Sequence, residues 1–273
     1  NKRNKFEINK VKMSKEKKPI LNELFESRNK YKEAAENIDK EEFIKTVKSR
    51  RSVRVFNEEL VKEQDMRACL ELALLAPNSS NLQQWEFYWV RNQKKKNKLI
   101  DYCLGQPAAK TAQELVVAVA RPDFWKVNQK RMLEKIDAMG DKAPRSARKY
   151  YSKIVPLAYN QGFFSIRGYL KKLAIEFRGI KKPTPREPYN KKGMSIWAHK
   201  STALACENLM LSLRAYGYDS CPMEGIDSKR IKSLLGLKSP AEISMVISAG
   251  KRAENGVYGK QVRFDNKYFI HEL

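Results

Sequence analysis

The chain has 273 residues, with 55 lysines and arginines against 31 aspartates and glutamates, for a formal net charge of +24. That length suffices for one substantial core or at most two small domains, and no apolar run approaches the ~20 residues a membrane-crossing helix needs. Cys69, Cys103, Cys206 and Cys221 lie far apart, and with only His199 and His271 to join them neither a zinc site nor a histidine-based triad is expected.

Thiols of this kind fit a reducing, cytoplasmic setting. The N-terminus lacks an apolar core followed by a small-residue cleavage site, so no secretory signal is expected. A large positive charge fits nucleic acid, an anionic membrane face or small anions. Here the excess is mostly lysine spread along the whole chain, with few aromatics interleaved, and reads as a lysine-rich background plus a basic N-terminal arm.

Residues 1–18 have the composition of a mobile arm. Leu21, Leu24, Phe25 and Tyr31 give residues 19–37 a weakly amphipathic helical pattern, and Phe43, Ile44 and Val47 share one helical face between Glu41 and Ser49. Arg50-Arg51-Ser52-Val53-Arg54-Val55-Phe56 follows directly. Its arginines and serine offer forked N–H donors and a hydroxyl that match a phosphate. A solvated basic turn explains the same residues equally well.

Met66, Cys69, Leu70, Ala73 and Leu74 predict a helix from Lys62 to Leu75, stopped by Pro77. Pro77-Asn78-Ser79-Ser80-Asn81 then supplies amides and hydroxyls with little bulk, or is simply a turn. Trp85 to Val90 reads as a strand, Leu99 to Leu104 as a short helix broken by Gly105-Gln106-Pro107, and Leu115 to Ala120 as a strand buried on both faces. From Asp123 to Arg178, residues such as Ile136, Tyr151, Tyr159, Phe163, Tyr169, Leu170 and Leu173 fall at helical spacing, predicting two or three helices with these side chains in a core. A proline-containing loop is expected from Ile180 to Gly193.

Trp197 to Tyr216 is apolar around most of its circumference, a helix for the middle of a domain or a dimer interface. Cys221 to Asp227 reads as a tight loop, Lys229 to Leu235 as a short helix and Glu242 to Ala249 as a third strand. The tail from Tyr258 to Leu273 carries enough apolar material that it should dock somewhere. Neither a Gly-x-Gly-x-x-Gly turn nor a Walker-type loop is present. Polar or basic loops instead recur at 50–54, 77–83, 222–225, 250–252 and 260–263, a set suited to a ligand with a phosphate, a polar chain and a planar head.

Taken in order, Arg50-Arg51-Ser52-Val53-Arg54-x-Phe56, Ala76-Pro77-Asn78-Ser79-Ser80-Asn81-x-Gln83-x-Trp85, Pro222-Met223-Glu224-Gly225-Ile226-Asp227 and the late pair Lys260 and Arg263 resemble the FMN-dependent nitroreductase family. The resemblance covers about 43–120 and about 197–263. It implies an α+β fold: an α/β/α sandwich with a mixed, mostly antiparallel sheet, in an obligate, domain-entwined homodimer that binds FMN at the interface with residues from both subunits. Residues 1–40 would be a basic N-terminal extension and 41–273 the FMN-binding domain. A helical insertion at about 123–190 is longer than a minimal member needs, and is expected to act as a lid that sets acceptor choice.

By the same resemblance Arg50, Ser52 and Arg54 would hold the phosphate and ribityl end of FMN, with Arg51 nearby. Pro77, Asn78, Ser79, Asn81 and Gln83 would line the flavin, Gln106 would face its ring, and Met223, Glu224 and Gly225 would lie beside the isoalloxazine. Lys260 and Arg263 would complete the phosphate site, with two residues between them where the family has one. The implied activity is ping-pong reduction of flat electrophilic acceptors (nitroaromatics, quinones and similar systems) by NADH or NADPH, with no catalytic acid, base or metal from the protein. Reductive dehalogenation or flavin destruction on the same fold, a flavin carrier without turnover, and a basic nucleic-acid-binding protein are the alternatives. No membrane partner is expected.

Overall fold

The computed structural model describes residues 33–162 and 166–273. The basic arm, the amphipathic pattern through Tyr31, and Phe163 lie outside the described residues. The helices are α1 (Lys40–Ser49), α2 (Glu63–Ala73), α3 (Gln93–Tyr102), α4 (Pro107–Lys110), α5 (Phe124–Ala138), α6 (Arg145–Lys149), α7 (Val155–Tyr159), α8 (Ile166–Lys181), α9 (Lys191–Ala215) and α10 (Ser228–Leu234). The strands are β1 (Trp85–Trp89), β2 (Glu114–Ala120), β3 (Asp219–Met223) and β4 (Glu242–Gly250), and they form one sheet in the order β1-β2-β4-β3. A single wide turn, Tyr150–Ile154, joins α6 to α7.

The period-2 geometry of a strand explains the core. Leu115, Val117 and Val119 of β2 point to one face, where they meet Leu99 of α3, Cys103 just after it, Ile231 of α10, and Val53 and Phe56. Val116 and Ala118 point to the other, against Met66 and Cys69 of α2 and Cys206, Leu209 and Leu213 of α9. With both faces covered, the run has no polar alternation, as its sequence indicated. The result is the expected α/β/α sandwich. Every strand pairing is antiparallel, and the one parallel contact among the described residues is the single bridge between Ser52 and Ser220.

Three boundaries differ from the sequence reading. The helix expected from Leu99 begins at Gln93, because Asn92 caps it by accepting from the Lys95 amide at 3.1 Å. The helix expected from Trp197 begins at Lys191 for the same reason, with the Asn190 side chain accepting from Gly193 N at 2.7 Å. The loop expected at Cys221 opens as strand β3, where Pro222 is tolerated because β3 is the edge of the sheet and needs no second row of N–H donors.

One burial expectation also fails: Tyr169, Leu170 and Leu173 were assigned to a core, and they and the neighbouring Ile166 are instead exposed. In the tail the start at 258–263 lies against residues 50–54, whereas Val262, Phe264, Tyr268, Phe269 and Ile270 are exposed in the single chain. Among the described residues no helix is long and apolar enough to cross a membrane.

All four cysteines are fully buried. Burial pushes the thiols of Cys69, Cys103 and Cys206 up to about 12, and raises that of Cys221 even though the nearby Arg54 and Arg50 pull it down. The thiolate is the reactive form. Native protein at pH 8 is therefore expected to take up no iodoacetamide over an hour, and four equivalents once unfolded in guanidinium, as counted by intact mass.

Candidate functional site

The site grows from β3. The Val53 amide donates to the Ser220 carbonyl at 3.1 Å, and Phe56 bridges to Arg252 just beyond β4, so residues 50–56 are laid along the edge of the sheet. Val53 and Phe56 point inward and are buried, which leaves Arg50, Arg51, Ser52 and Arg54 on the outer side. The Arg54 amide donates to Gly256 O at 2.7 Å. Gly256 has no room for a side chain, since a β-carbon there would stand 2.5 Å from the Val55 carbonyl oxygen. This close approach brings the start of the tail under the arginines, and Arg51 Nη2 donates to the Gly259 carbonyl.

Arg50, Arg51, Ser52 and Arg54 thereby face Lys260 and Arg263 across a pocket of about 340 Å³. Five cations and a hydroxyl line it together with Tyr258 and Gln261, and no carboxylate does. The nearest acid is Glu207 of α9, 3.7 Å from Arg50. Such a donor set suits a dianionic phosphate and little else. The residues present fit the phosphate end of FMN, and residues 206 or more positions apart in the chain supply it.

β3 carries the chain from this pocket to Met223, Glu224 and Gly225. Met223 is buried, whereas Glu224 and Gly225 are exposed. Gln106, which precedes α4, donates from Nε2 to the Gly225 carbonyl at 2.9 Å, so this amide does join the Met-Glu-Gly segment. Gln106 and residues 223–225 are thus tied together at the end of the strand that starts beside the basic pocket.

The other polar loop stands apart. It is a tight turn in which Ser80, Asn81 and Gln83 have φ values of 59°, 48° and 45°, in the left-handed region that non-glycine residues seldom enter. Its own side chains hold that shape. Asn78 Oδ1 accepts from the Gln83 amide at 2.8 Å, and the Asn78 amide group donates to Ala76 O at 3.2 Å. The loop leads into β1, at the opposite edge from β3, three strand spacings or roughly 14 Å across the sheet. Among the described residues no hydrogen bond joins residues 77–83 to 50–54 or 223–225.

Four residues the sequence reading did not select as site residues bind this loop. The Ser80 hydroxyl lies 2.7 Å from Tyr150 Oη and 2.8 Å from Tyr159 Oη, and Ser79 Oγ lies 3.0 Å from Tyr159 Oη. Tyr151 Oη donates to the Ser80 carbonyl at 3.0 Å. Asn128 of α5 donates to Leu82 O at 2.7 Å. The insertion is therefore attached to the Asn/Ser loop by hydroxyls. Helical spacing in the sequence marked Tyr151 and Tyr159 as apolar positions, and nothing in spacing reveals where a phenol tip ends.

A cavity of about 680 Å³ opens beside the loop, lined by Pro77, Asn78 and Ser79, by Tyr159 of the insertion, and by Trp197, Lys200 and Leu204 on α9. A second cleft of about 830 Å³ includes Asn81 and Gln83 and runs between β1 and α5. Insertion side chains wall both.

The nitroreductase family model matches residues 47–251. Protein DrgA of Synechocystis is 27% identical over 207 residues, covering 76% of this chain and 82% of that protein. A Thermus thermophilus NADH dehydrogenase is 27% identical over 207 residues, covering 76% and 85% respectively. A solved structure of an Exiguobacterium sibiricum protein in complex with FMN superposes with a TM-score of 0.62 at 21% identity, covering 85% of this chain and 97% of that one.

Proposed function

Since this chain belongs to the nitroreductase family, we propose that it is an NAD(P)H-dependent FMN oxidoreductase that reduces flat electrophilic acceptors by a ping-pong route. One observation carries the reading: the Arg50–Arg54 stretch and the Lys260–Arg263 stretch close on one acid-free pocket. When bound, FMN supplies the redox chemistry, accepting a hydride and delivering it to the acceptor. The protein's part is binding and placement. Arg50, Arg51, Arg54, Lys260 and Arg263 neutralise the phosphate, Ser52 adds a hydroxyl donor, and Gln106 with Met223, Glu224 and Gly225 forms the wall beside the ring.

Asn78, Ser79, Asn81 and Gln83 complete the site from a second protomer. This explains why the loop is built, strained and polar, yet stands apart from the phosphate pocket of its own chain. The outward apolar groups Phe43 and Val47 on α1, Leu204 on α9 and the undocked tail would be covered in that homodimer. NADH and NADPH are both admissible donors, as stacking on the flavin asks nothing of a 2′-phosphate site.

The direct test is spectroscopic. Purified protein is expected to bind one FMN per chain with a flavin absorbance, to bleach with NADH or NADPH under nitrogen, and to recover with a quinone or nitroaromatic. A colourless protein that rejects added FMN would sink the reading, and bleaching without recovery on any acceptor would favour a carrier.

The insertion acts as a lid through its tyrosines. Removing two hydroxyls in Tyr150→Phe/Tyr159→Phe should cost about 1 kcal/mol for each lost hydrogen bond. We expect FMN content to hold, the rate of bleaching by NAD(P)H to change less than twofold, and kcat/KM for acceptors to fall about five- to tenfold. Stopped-flow measurement of the two half-reactions separates these effects.

A further inference from the structure

Helix α8 turns a complete apolar stripe away from its own protein. Ile166, Tyr169, Leu170, Leu173, Phe177 and Ile180 recur at the i, i+3, i+4 spacing of one helical face, and each is between 58% and 79% exposed. The rotational setting that exposes them is fixed from the opposite side. Gly168 is the one buried residue of α8, and any side chain there would collide with the Tyr189 carbonyl oxygen. Lys171 Nζ donates to the Pro188 carbonyl at 2.8 Å and also to Ala158 O. Helix rotation is thus pinned by a glycine and a lysine, and of the large apolar side chains Ile175 alone turns inward while the six of the stripe face out.

The borders of the stripe are cationic. Arg167, Arg178 and Lys181 flank one side and Lys172 the other, and the lone acid of the helix, Glu176, is paired with Arg186. We propose that α8 is a membrane-surface helix that seats this chain on an anionic lipid bilayer, with the stripe in the acyl boundary and the lysines and arginines at the headgroups. A helix with one apolar face and a basic remainder is the form such surface binding takes. Charge decides the occupant. A second copy docked stripe to stripe would bring the same cationic borders, Arg167, Arg178, Lys181 and Lys172, to the contact, so like charges would oppose it there, whereas an anionic bilayer complements both the stripe and its rim. No spanning segment is involved. The binding is peripheral, and among the described residues no helix is long and apolar enough to cross the bilayer.

The test is flotation of the full chain with 100 nm vesicles at 150 mM potassium chloride. Binding is expected to vesicles containing 30% phosphatidylglycerol and to be at least tenfold weaker on pure phosphatidylcholine. Leu173→Glu/Phe177→Glu should weaken binding to the anionic vesicles at least tenfold, with the far-ultraviolet circular dichroism unchanged because both side chains are exposed. Arg178→Glu/Lys181→Glu should weaken it and flatten its salt dependence. Anionic-vesicle binding that survives in Leu173→Glu/Phe177→Glu would overturn the proposal by assigning the effect to the general lysine background. So would wild-type protein that stays unbound, or a Leu173→Glu/Phe177→Glu variant whose only change by light scattering is loss of the dimer.

Discussion

Arg54→Ala is expected to yield a folded protein that loses its flavin on dialysis. Among the described residues the Arg54 guanidinium makes no ion pair, while its backbone amide keeps the 2.7 Å bond to Gly256 whatever the side chain. Stability should therefore change by no more than about 0.5 kcal/mol, the usual cost at such a surface position. A charge-assisted bond to phosphate contributes roughly 2–3 kcal/mol, so Kd for FMN should rise roughly 30- to 150-fold. Fluorescence titration of apoprotein with FMN measures this. Arg54→Ala protein that keeps full flavin occupancy through extensive dialysis would show that the basic pocket is not the phosphate site. Arg50→Ala is less clean, because it also releases Glu207 to face the remaining cations.

The largest stability loss is expected at Asp219. This carboxylate is 5% exposed at the start of β3 and accepts from two arginines: Arg214 Nη1 at 2.9 Å, and Arg252 at 2.7 Å and 3.1 Å. Arg214 ends α9 and Arg252 follows β4, so one side chain fastens the long helix and two strands at the corner beside the basic pocket. In Asp219→Ala both cations lose their counter-charge. Removing one member of a buried pair costs 3–5 kcal/mol, and because the arginines are partly solvated we expect about 3 kcal/mol. For a domain of this size that lowers Tm by roughly 6–12 °C, readable by calorimetry. Asp219→Asn should recover part of the loss by accepting one of the bonds. FMN retention should weaken in both, since residues 50–56 pair with Ser220 next door.

Much of this architecture was legible in the sequence. Residues 115–120 declared a doubly buried strand because nothing but apolar groups occurs there, and the periodicity of residues 66–74 declared α2. The basic stretch and the Lys260 and Arg263 pair line one pocket, and Gln106 reaches Gly225. Less legible were elements set by partners distant in the chain. β3 is five residues containing a proline, and becomes a strand only because β4 and Ser52 flank it. The N-termini of α3 and α9 depended on asparagine caps, Asn92 and Asn190, that look like loop residues until the amides they bind are seen. The apolar positions of α8 were read as core, since helical spacing states that a face is apolar and not what it faces. The tyrosine contacts to Ser79 and Ser80 link residues some 70–80 positions apart, beyond any local pattern.

The basic pocket has one half at the start of the family-matched residues and the other beyond their end, joined by a bond from Arg51 to Gly259 across 208 positions. Such a pocket comes into being only when segments 208 positions apart meet. A ligand that needs it binds the native state and not the unfolded one, and so adds RT ln(1 + [L]/Kd) to the folding free energy. Flavin supply then sets how long newly made chains persist: in a riboflavin-starved cell the same polypeptide would spend more time open to proteolysis, with no change in its sequence or its synthesis.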